Sequence, residues 1–197
     1  MSGPIVVSNQ SGGSGGSGDP SDIWDLVSAQ NGSDFSGWTG LTGTWGSDGT
    51  VIQETGGSYD RQAVYSAAKA GTVSKMSAEV FLPTGSSWAG IGWHSPSGSS
   101  ATPQFSIKSD GTLIVYAAGV GTMANFGTLT GSPMDTWHTI VVDRFGTGHN
   151  IFFNGVFVSS FGSSTSAPNF GLSSYGQAKF RNINMYNAKW SALHMLV

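Results

Sequence analysis

Thr136-Trp-His-Thr-Ile-Val-Val-Asp-Arg144, a short Gly-rich turn, and then Ile151-Phe-Phe-Asn-Gly-Val-Phe-Val-Ser-Ser-Phe161 read as a strand followed by a β-hairpin. Asn154-Gly155 is the dipeptide favoured by a two-residue type I′ turn, in which both central residues take positive φ. A turn there sets Phe153 opposite Val156, Phe152 opposite Phe157, and Ile151 opposite Val158. One face then carries Ile151, Phe153, Val156 and Val158, and the other carries the Phe152/Phe157 pair. A hairpin apolar on both faces is expected to lie between two layers rather than at a solvated edge. Its second face, Phe152 and Phe157, is either the inner layer of a sandwich or a docking surface.

The rest of the composition agrees with a β-rich chain. Charged residues make up only 10% of the 197, against roughly 25% in an ordinary soluble protein. There are 30 glycines, as tight turns require. A net charge of -3 and the absence of a basic cluster exclude nucleic acid as the main partner. No run approaches the roughly eighteen apolar residues of a membrane span, so no membrane partner is expected. Cysteine is absent, which removes disulfides and thiolate metal sites from the account. Met1-Ser-Gly-Pro-Ile-Val-Val-Ser-Asn-Gln10 lacks the positive start and apolar core of a secretory signal. The expectation is a protein made and assembled in a reducing cytoplasm, with the sequons at Asn9 and Asn31 as chance matches.

Three segments follow from the composition. Residues 1–21 form an arm: the β-prone Ile5-Val6-Val7, then the Gly/Ser run 11–18, a flexible linker whether native or introduced. Ile5, Val6 and Val7 are the expected anchor of that arm in an assembly. Residues 22–188 read as the main domain, and 189–197 as an apolar tail. In the main domain, strands are expected over 24–29, 41–45, 51–54, 62–67, 73–82, 88–94, 105–108, 113–117, 137–144, 151–154, 156–161, 170–175 and 179–186. Turn signals such as Ser47-Asp-Gly49, Pro83-Thr-Gly85 and Ser109-Asp-Gly111 separate them. No stretch keeps a helical period with caps. Short strands at this spacing make the chain all-β, as a sandwich or jelly roll.

Trp137-His-Thr-Ile-Val-Val-Asp-Arg144 followed by Ile151-Phe-Phe-Asn-Gly-Val-Phe-Val158 resembles the paired strands of the concanavalin A-like (laminin-G-like) lectin and glucanase sandwiches. Ser87-Trp-Ala-Gly-Ile-Gly-Trp-His94 and the closing stretch from Phe170 to Tyr186 are similar to that family too, as is the front end from Phe35 to Val51. The resemblance spans about residues 24–187 and implies a two-sheet antiparallel jelly roll. Members of the family bind glycans, hydrolyse them, or serve as adhesive and structural modules, including on virus particles. A resemblance of fold does not decide among these.

The residues weigh against hydrolysis. Glycosidases need two carboxylates about 5–9.5 Å apart, and glucanases of this family carry them in a Glu-x-Asp-x-x-Glu motif. This chain has two glutamates, Glu54 and Glu79, and neither sits in such a motif. Glu79 reads as an outward strand residue, and Asp143 as half of a strand-end ion pair with Arg144. His94, His138, His149 and His194 show no ligand spacing, so no metal or other cofactor is expected. Asp48, Asp60 or Asp110 could each hold a calcium ion in a loop, but each reads first as a turn residue. Glycan binding is the positive expectation. Alternation puts Trp88, Gly90, Gly92 and His94 on one face, leaving a slot for a planar ligand between Trp88 and His94. The bland alternative has Trp88 capping the core and His94 merely exposed. Trp24, Trp38, Trp45, Trp93 and Trp137 read as core rings.

The function these features suggest first is a non-enzymatic protein of a virion surface: a bacteriophage capsid decoration protein, multicopy, held by its arm to other virion proteins. Its surface would bind host glycans weakly. The alternative is a phage tail adhesion protein or a stand-alone carbohydrate-binding module.

Overall fold

The computed structural model describes residues 24–32, 34–56, 60–65, 75–94, 104–117, 121–145, 148–162 and 169–188. Within them the backbone forms fifteen strands and no helix: β1 (Trp24–Gln30), β2 (Trp38–Thr42), β3 (Trp45–Ser47), β4 (Ile52–Glu54), β5 (Asp60–Tyr65), β6 (Lys75–Phe81), β7 (Trp88–His94), β8 (Gln104–Lys108), β9 (Thr112–Ala117), β10 (Gly121–Thr128), β11 (Trp137–Phe145), β12 (Gly148–Phe153), β13 (Val156–Gly162), β14 (Asn169–Tyr175) and β15 (Ala178–Ala188). They build two antiparallel sheets. Sheet A runs β13-β12-β11-β6-β15-β4-β3, with β1 also on β15; sheet B runs β10-β9-β8-β7-β14-β5-β2. The arm 1–21, with Ile5, Val6 and Val7, and the tail 189–197 lie outside the described residues.

The period of two explains which side chains fill the space between the sheets. In β6, Met76, Ala78 and Val80 point inward while Lys75, Ser77, Glu79 and Phe81 alternate outward. From sheet B, Ala89, Ile91, Phe105, Ile107, Phe170 and Leu172 meet them, and Trp38 closes one end against Tyr65 and Phe170 with ring centroids 5.1 and 5.7 Å away. Each fully buried side chain of this size contributes about 1.5–3 kcal/mol. β15 breaks the period: Phe180 and Ile183 are both fully buried although three residues apart. A β-bulge between Arg181 and Asn184, with Asn182 at φ 49°, absorbs the extra residue and returns Ile183 and Met185 to the core.

The Asn154-Gly155 turn forms with φ of 48° and 78°, and Phe153 faces Val156 and Phe152 faces Phe157. Asn154 is also tied to β11. Its N–H donates to Thr139 O (2.8 Å) and its Oδ1 accepts from Thr139 N–H (2.9 Å). Its amide NH2 lies 3.2 Å from His138 Nδ1 and so donates to it, which leaves the Nε2–H of His138 to donate to Pro133 O at 3.0 Å.

Five expectations are corrected. The hairpin does not lie between two layers: β13 is the edge of sheet A, Val156 and Phe157 are 58% and 54% exposed, and the Phe152/Phe157 pair stands on the outer face. Ile151 faces Ser159 rather than Val158, because a bulge intervenes. The single strand expected over 41–45 is two strands in different sheets, β2 and β3, parted at Gly43 with φ 97°. β10, poor in apolar alternation, was not expected. Trp137 is not core: His138, Ile140 and Val142 take the inward positions of β11, so Trp137 faces out against Phe81 (5.3 Å) with the Arg181 guanidinium 4.1 Å over its ring.

Candidate functional site

Two sheet faces look away from the core, and they differ in chemistry. The outer face of sheet A carries a structural network. Glu79 accepts from Arg181 Nε and, at 3.0 Å, from Asn182 Nδ2. Partial burial pushes the Glu79 carboxyl up, but these hydrogen bonds outweigh it and hold the group below its usual range. Lys179 sits 5.9 Å over Phe81. Asp143 does not pair with Arg144, since successive strand residues point to opposite faces. Its charged neighbour is Lys75 on β6, directly opposite in register. Burial raises the Asp143 carboxyl above its ordinary value, with Lys75 pulling the other way, and Oδ1 has no hydrogen-bond partner.

Sheet B presents a different outer face. Strand register lines up rows that cross β5, β14, β7, β8 and β9. One row reads Val64, Gly171, Gly92, Gln104, Tyr116, and the next Gln62, Ser173, Gly90, Ser106, Ile114. A third, across β5 to β8, reads Asp60, Tyr175, Trp88, Lys108. The middle of this face is therefore a floor of glycine and serine, walled by aromatic rings. Gly90 is required there, because a Cβ would sit 2.1 Å from Phe105 O and 2.7 Å from Ser106 Cα. Ser173 donates its hydroxyl to Gly90 O at 3.3 Å.

Polar groups on this floor lack partners. Gln104 is 1% exposed and Ser106 0% exposed. Neither the amide nitrogen nor the amide oxygen of Gln104 makes a hydrogen bond, nor does Ser106 Oγ. Buried side-chain polar atoms are nearly always paired, so three unpaired ones on one face stand out as unexplained by contacts within the chain.

The residues singled out in the sequence fall as follows. Trp88 stands on this outer face, as alternation predicts, but its ring leans onto Tyr116 with centroids 4.9 Å apart and is 6% exposed. The open slot expected between Trp88 and His94 is thus not bounded by a free Trp88 ring. His94 belongs to β7, and its side chain lies outside the described residues. Phe152 and Phe157 meet edge to face at 5.6 Å on the other sheet. His138 and His149 are buried at opposite ends of the β11–β12 pair. Asp48 and Asp110 are turn residues: Asp48 Oδ1 accepts from Thr50 and Val51, and Asp110 Oδ1 from Thr112. Among the described residues no group of three or more His, Asp or Glu could hold a metal ion. Sequence reasoning missed Gln104, Ser106 and Tyr116; the alternation of Gln104-Phe-Ser-Ile-Lys108 was the available signal.

No protein-family model matches the sequence, and no curated protein matches it either. Solved structures do match in shape. The carbohydrate-binding module CBM66 from Bacillus subtilis superposes with a TM-score of 0.63 at 18% identity, over 75% of this chain and 93% of that one. A laminarinase from Flavobacterium sp. UMI-01 gives 0.61 at 12% identity, over 83% and 100%. SCLam, a non-specific endo-β-1,3(4)-glucanase of family GH16, gives 0.61 at 10% identity, over 86% and 93%. At these identities the likeness speaks for the fold: the chain has the two-sheet antiparallel jelly-roll sandwich of these concanavalin A-like proteins.

Proposed function

We propose that the chain is a non-catalytic carbohydrate-binding module that holds its ligand on the outer face of sheet B. The observation that carries this reading is the buried, unpartnered Gln104 amide and Ser106 hydroxyl on a glycine floor beside Trp88 and Tyr116. An amide offers both donors and an acceptor, which suits the vicinal hydroxyls of a sugar. Aromatic rings bring apolar surface for its C–H face. Binding is favoured over cleavage because β7, β8, β9 and β14 contain no Asp or Glu, and β5 adds a single carboxylate, Asp60. Hydrolysis would need two carboxylates astride the bond.

Likeness to a carbohydrate-binding module and to β-1,3-glucan hydrolases makes β-glucans the first ligands to test. In affinity electrophoresis through gels containing β-1,3-glucan or mixed-linkage β-glucan, the protein is expected to be retarded and Gln104→Leu to run freely. No retardation with these or with a broad glycan panel would overturn the binding claim. Release of new reducing ends from the glucan would overturn the non-catalytic one.

A second reading places this module on an assembly such as a phage particle, as a capsid decoration or tail adhesion protein. The exposed Val156 and Phe157 at the edge of sheet A favour it, as a surface available to neighbours. Copurification with particles, lost on deleting residues 1–18, is the outcome expected; unchanged incorporation would count against the arm as anchor.

A further inference from the structure

Beyond the floor, a pocket of about 380 Å3 opens between two turns. Thr84 to Ser87 form the β6–β7 connection, and Tyr175 to Gln177 the β14–β15 connection. Its volume lies within the roughly 300–1,000 Å3 of typical small-molecule sites. Tyr175 belongs to both places: it stands beside Trp88 in one row of the face, and it also lines the pocket. The pocket therefore continues the outer face of sheet B at the end of β7 and β14.

The two turns are locked together. Ser87 N–H donates to Tyr175 O at 2.8 Å, and Ser109 N–H donates to Ser87 O at 2.8 Å. Gly176, at φ 94°, lies so close that a Cβ would meet Ser86 at 3.0 Å. Beneath Thr84, Asp135 takes a left-handed backbone (φ 58°). It accepts the Thr84 N–H at 3.0 Å on Oδ1 and the Thr84 hydroxyl at 2.5 Å on Oδ2. A non-glycine residue held at positive φ to brace a loop is strain that the surrounding contacts must sustain.

The lining supplies the hydroxyls of Ser86 and Ser87, the amide of Gln177, and the ring of Tyr175, with no charged side chain. The Asp135 carboxylate stands behind Thr84, and Asp60 and Lys108 hold register positions in the row of Tyr175 and Trp88. We infer that this pocket is a subsite for one uncharged sugar unit, a terminal or branching residue of a neutral glycan whose chain lies on the sheet-B face. This rests on the carbohydrate-binding reading of that face. Uronic and sialic acids are disfavoured, because their carboxylates would meet no cation in the lining and would approach the carboxylate of Asp135.

The test is a glycan array carrying neutral and acidic glycans, probed with the full chain and four variants. Ser87→Ala and Gln177→Ala are each expected to weaken neutral-glycan binding about 2- to 10-fold, the worth of one net hydrogen bond. Asp135→Asn, which tolerates the same backbone and keeps an amide for Thr84, is expected to admit acidic glycans that the parent rejects. Gln104→Leu reports on the floor separately. If Gln104→Leu abolishes binding while Ser87→Ala and Gln177→Ala leave it intact, the floor is the site and the pocket is not. If the parent binds acidic glycans as well as neutral ones, the ligand class is wrong. If the parent binds no glycan, the reading of the face falls and the subsite with it. Melting curves of all four variants confirm that loss of binding is not loss of fold.

Discussion

Gly90→Ala tests the architecture of the floor most directly. The added methyl would lie 2.1 Å from Phe105 O, 2.4 Å from Ser106 Oγ and 2.7 Å from Ser106 Cα, where ordinary contacts are 3.4–4 Å. Ser106 Oγ can rotate away, but the other two atoms are backbone in the β7–β8 ladder, where Gly90 faces Ser106. Overpacking costs about 1–3 kcal/mol when neighbours can adjust. With backbone on two of three sides, about 3 kcal/mol is expected, the upper end of that range. For a domain of this size each kcal/mol moves the melting temperature by about 2–4 °C, so the variant should melt about 6–12 °C lower. Gly46→Ala is the matched control: nothing lies within 4 Å of its would-be Cβ, and replacing a strand glycine there should be neutral or stabilising by up to about 1 kcal/mol. Differential scanning calorimetry of both variants decides the matter. If Gly90→Ala melts within about 2 °C of Gly46→Ala, the close approach of β7 and β8 is wrong, and so is the floor built on it.

Gln104→Leu should raise stability by about 1 kcal/mol, since it removes a buried amide with no partner, while abolishing glucan retention; a lower melting temperature would reveal a partner for that amide. Burial, opposed by Lys75, raises the Asp143 carboxyl above the unfolded value of about 3.9, so its penalty is absent below that pH and grows as pH rises through the folded value. Asp143→Asn is therefore expected to stabilise at pH 7 and to be neutral near pH 3 in urea titrations; an equal effect at both would refute the assignment. Asn154→Gly keeps the turn's positive φ and the main-chain bond to Thr139 O but loses the side-chain bonds to Thr139 N–H and His138 Nδ1, for a cost of about 1–2 kcal/mol. Asn154→Ala should lose roughly 1 kcal/mol more from left-handed strain. Reversal of that order in denaturant midpoints would sink the type I′ account.

What the sequence made legible was local. The Asn154-Gly155 turn and the pairing of Phe152 with Phe157 follow from a dipeptide and a period of two. Alternation likewise placed Trp88, Gly90 and Gly92 on one face. It could not say which strand lies next to which, and this hid the site. Gln104 and Ser106 join the glycines only because β8 pairs with β7 in one particular register, and Tyr116 arrives through β9, a strand further away. The same blindness misplaced Trp137, whose size suggested core although its neighbours had already claimed the inward positions. It also put the hairpin between layers, because two apolar faces look alike whether the strand is central or an edge. The 41–45 segment failed for another reason: Gly43 lets the chain change sheets in two residues, and apolar pattern carries no mark of that.

The placement of β1 has a consequence for how the chain comes to be folded during synthesis. Among the described residues its one partner strand is β15, Trp24 facing Ala188 at one end and Gln30 facing Ile183 at the other. Among the described strands, a ribosome therefore releases β1 before all the others and its partner after them. Until then β1 waits with open hydrogen-bonding groups, the condition in which strands join the wrong neighbour. Pairing of β1 with β15 is thus the late, slow step. A circular permutant that links β15 directly to β1 should bypass that wait and give a higher yield of folded protein.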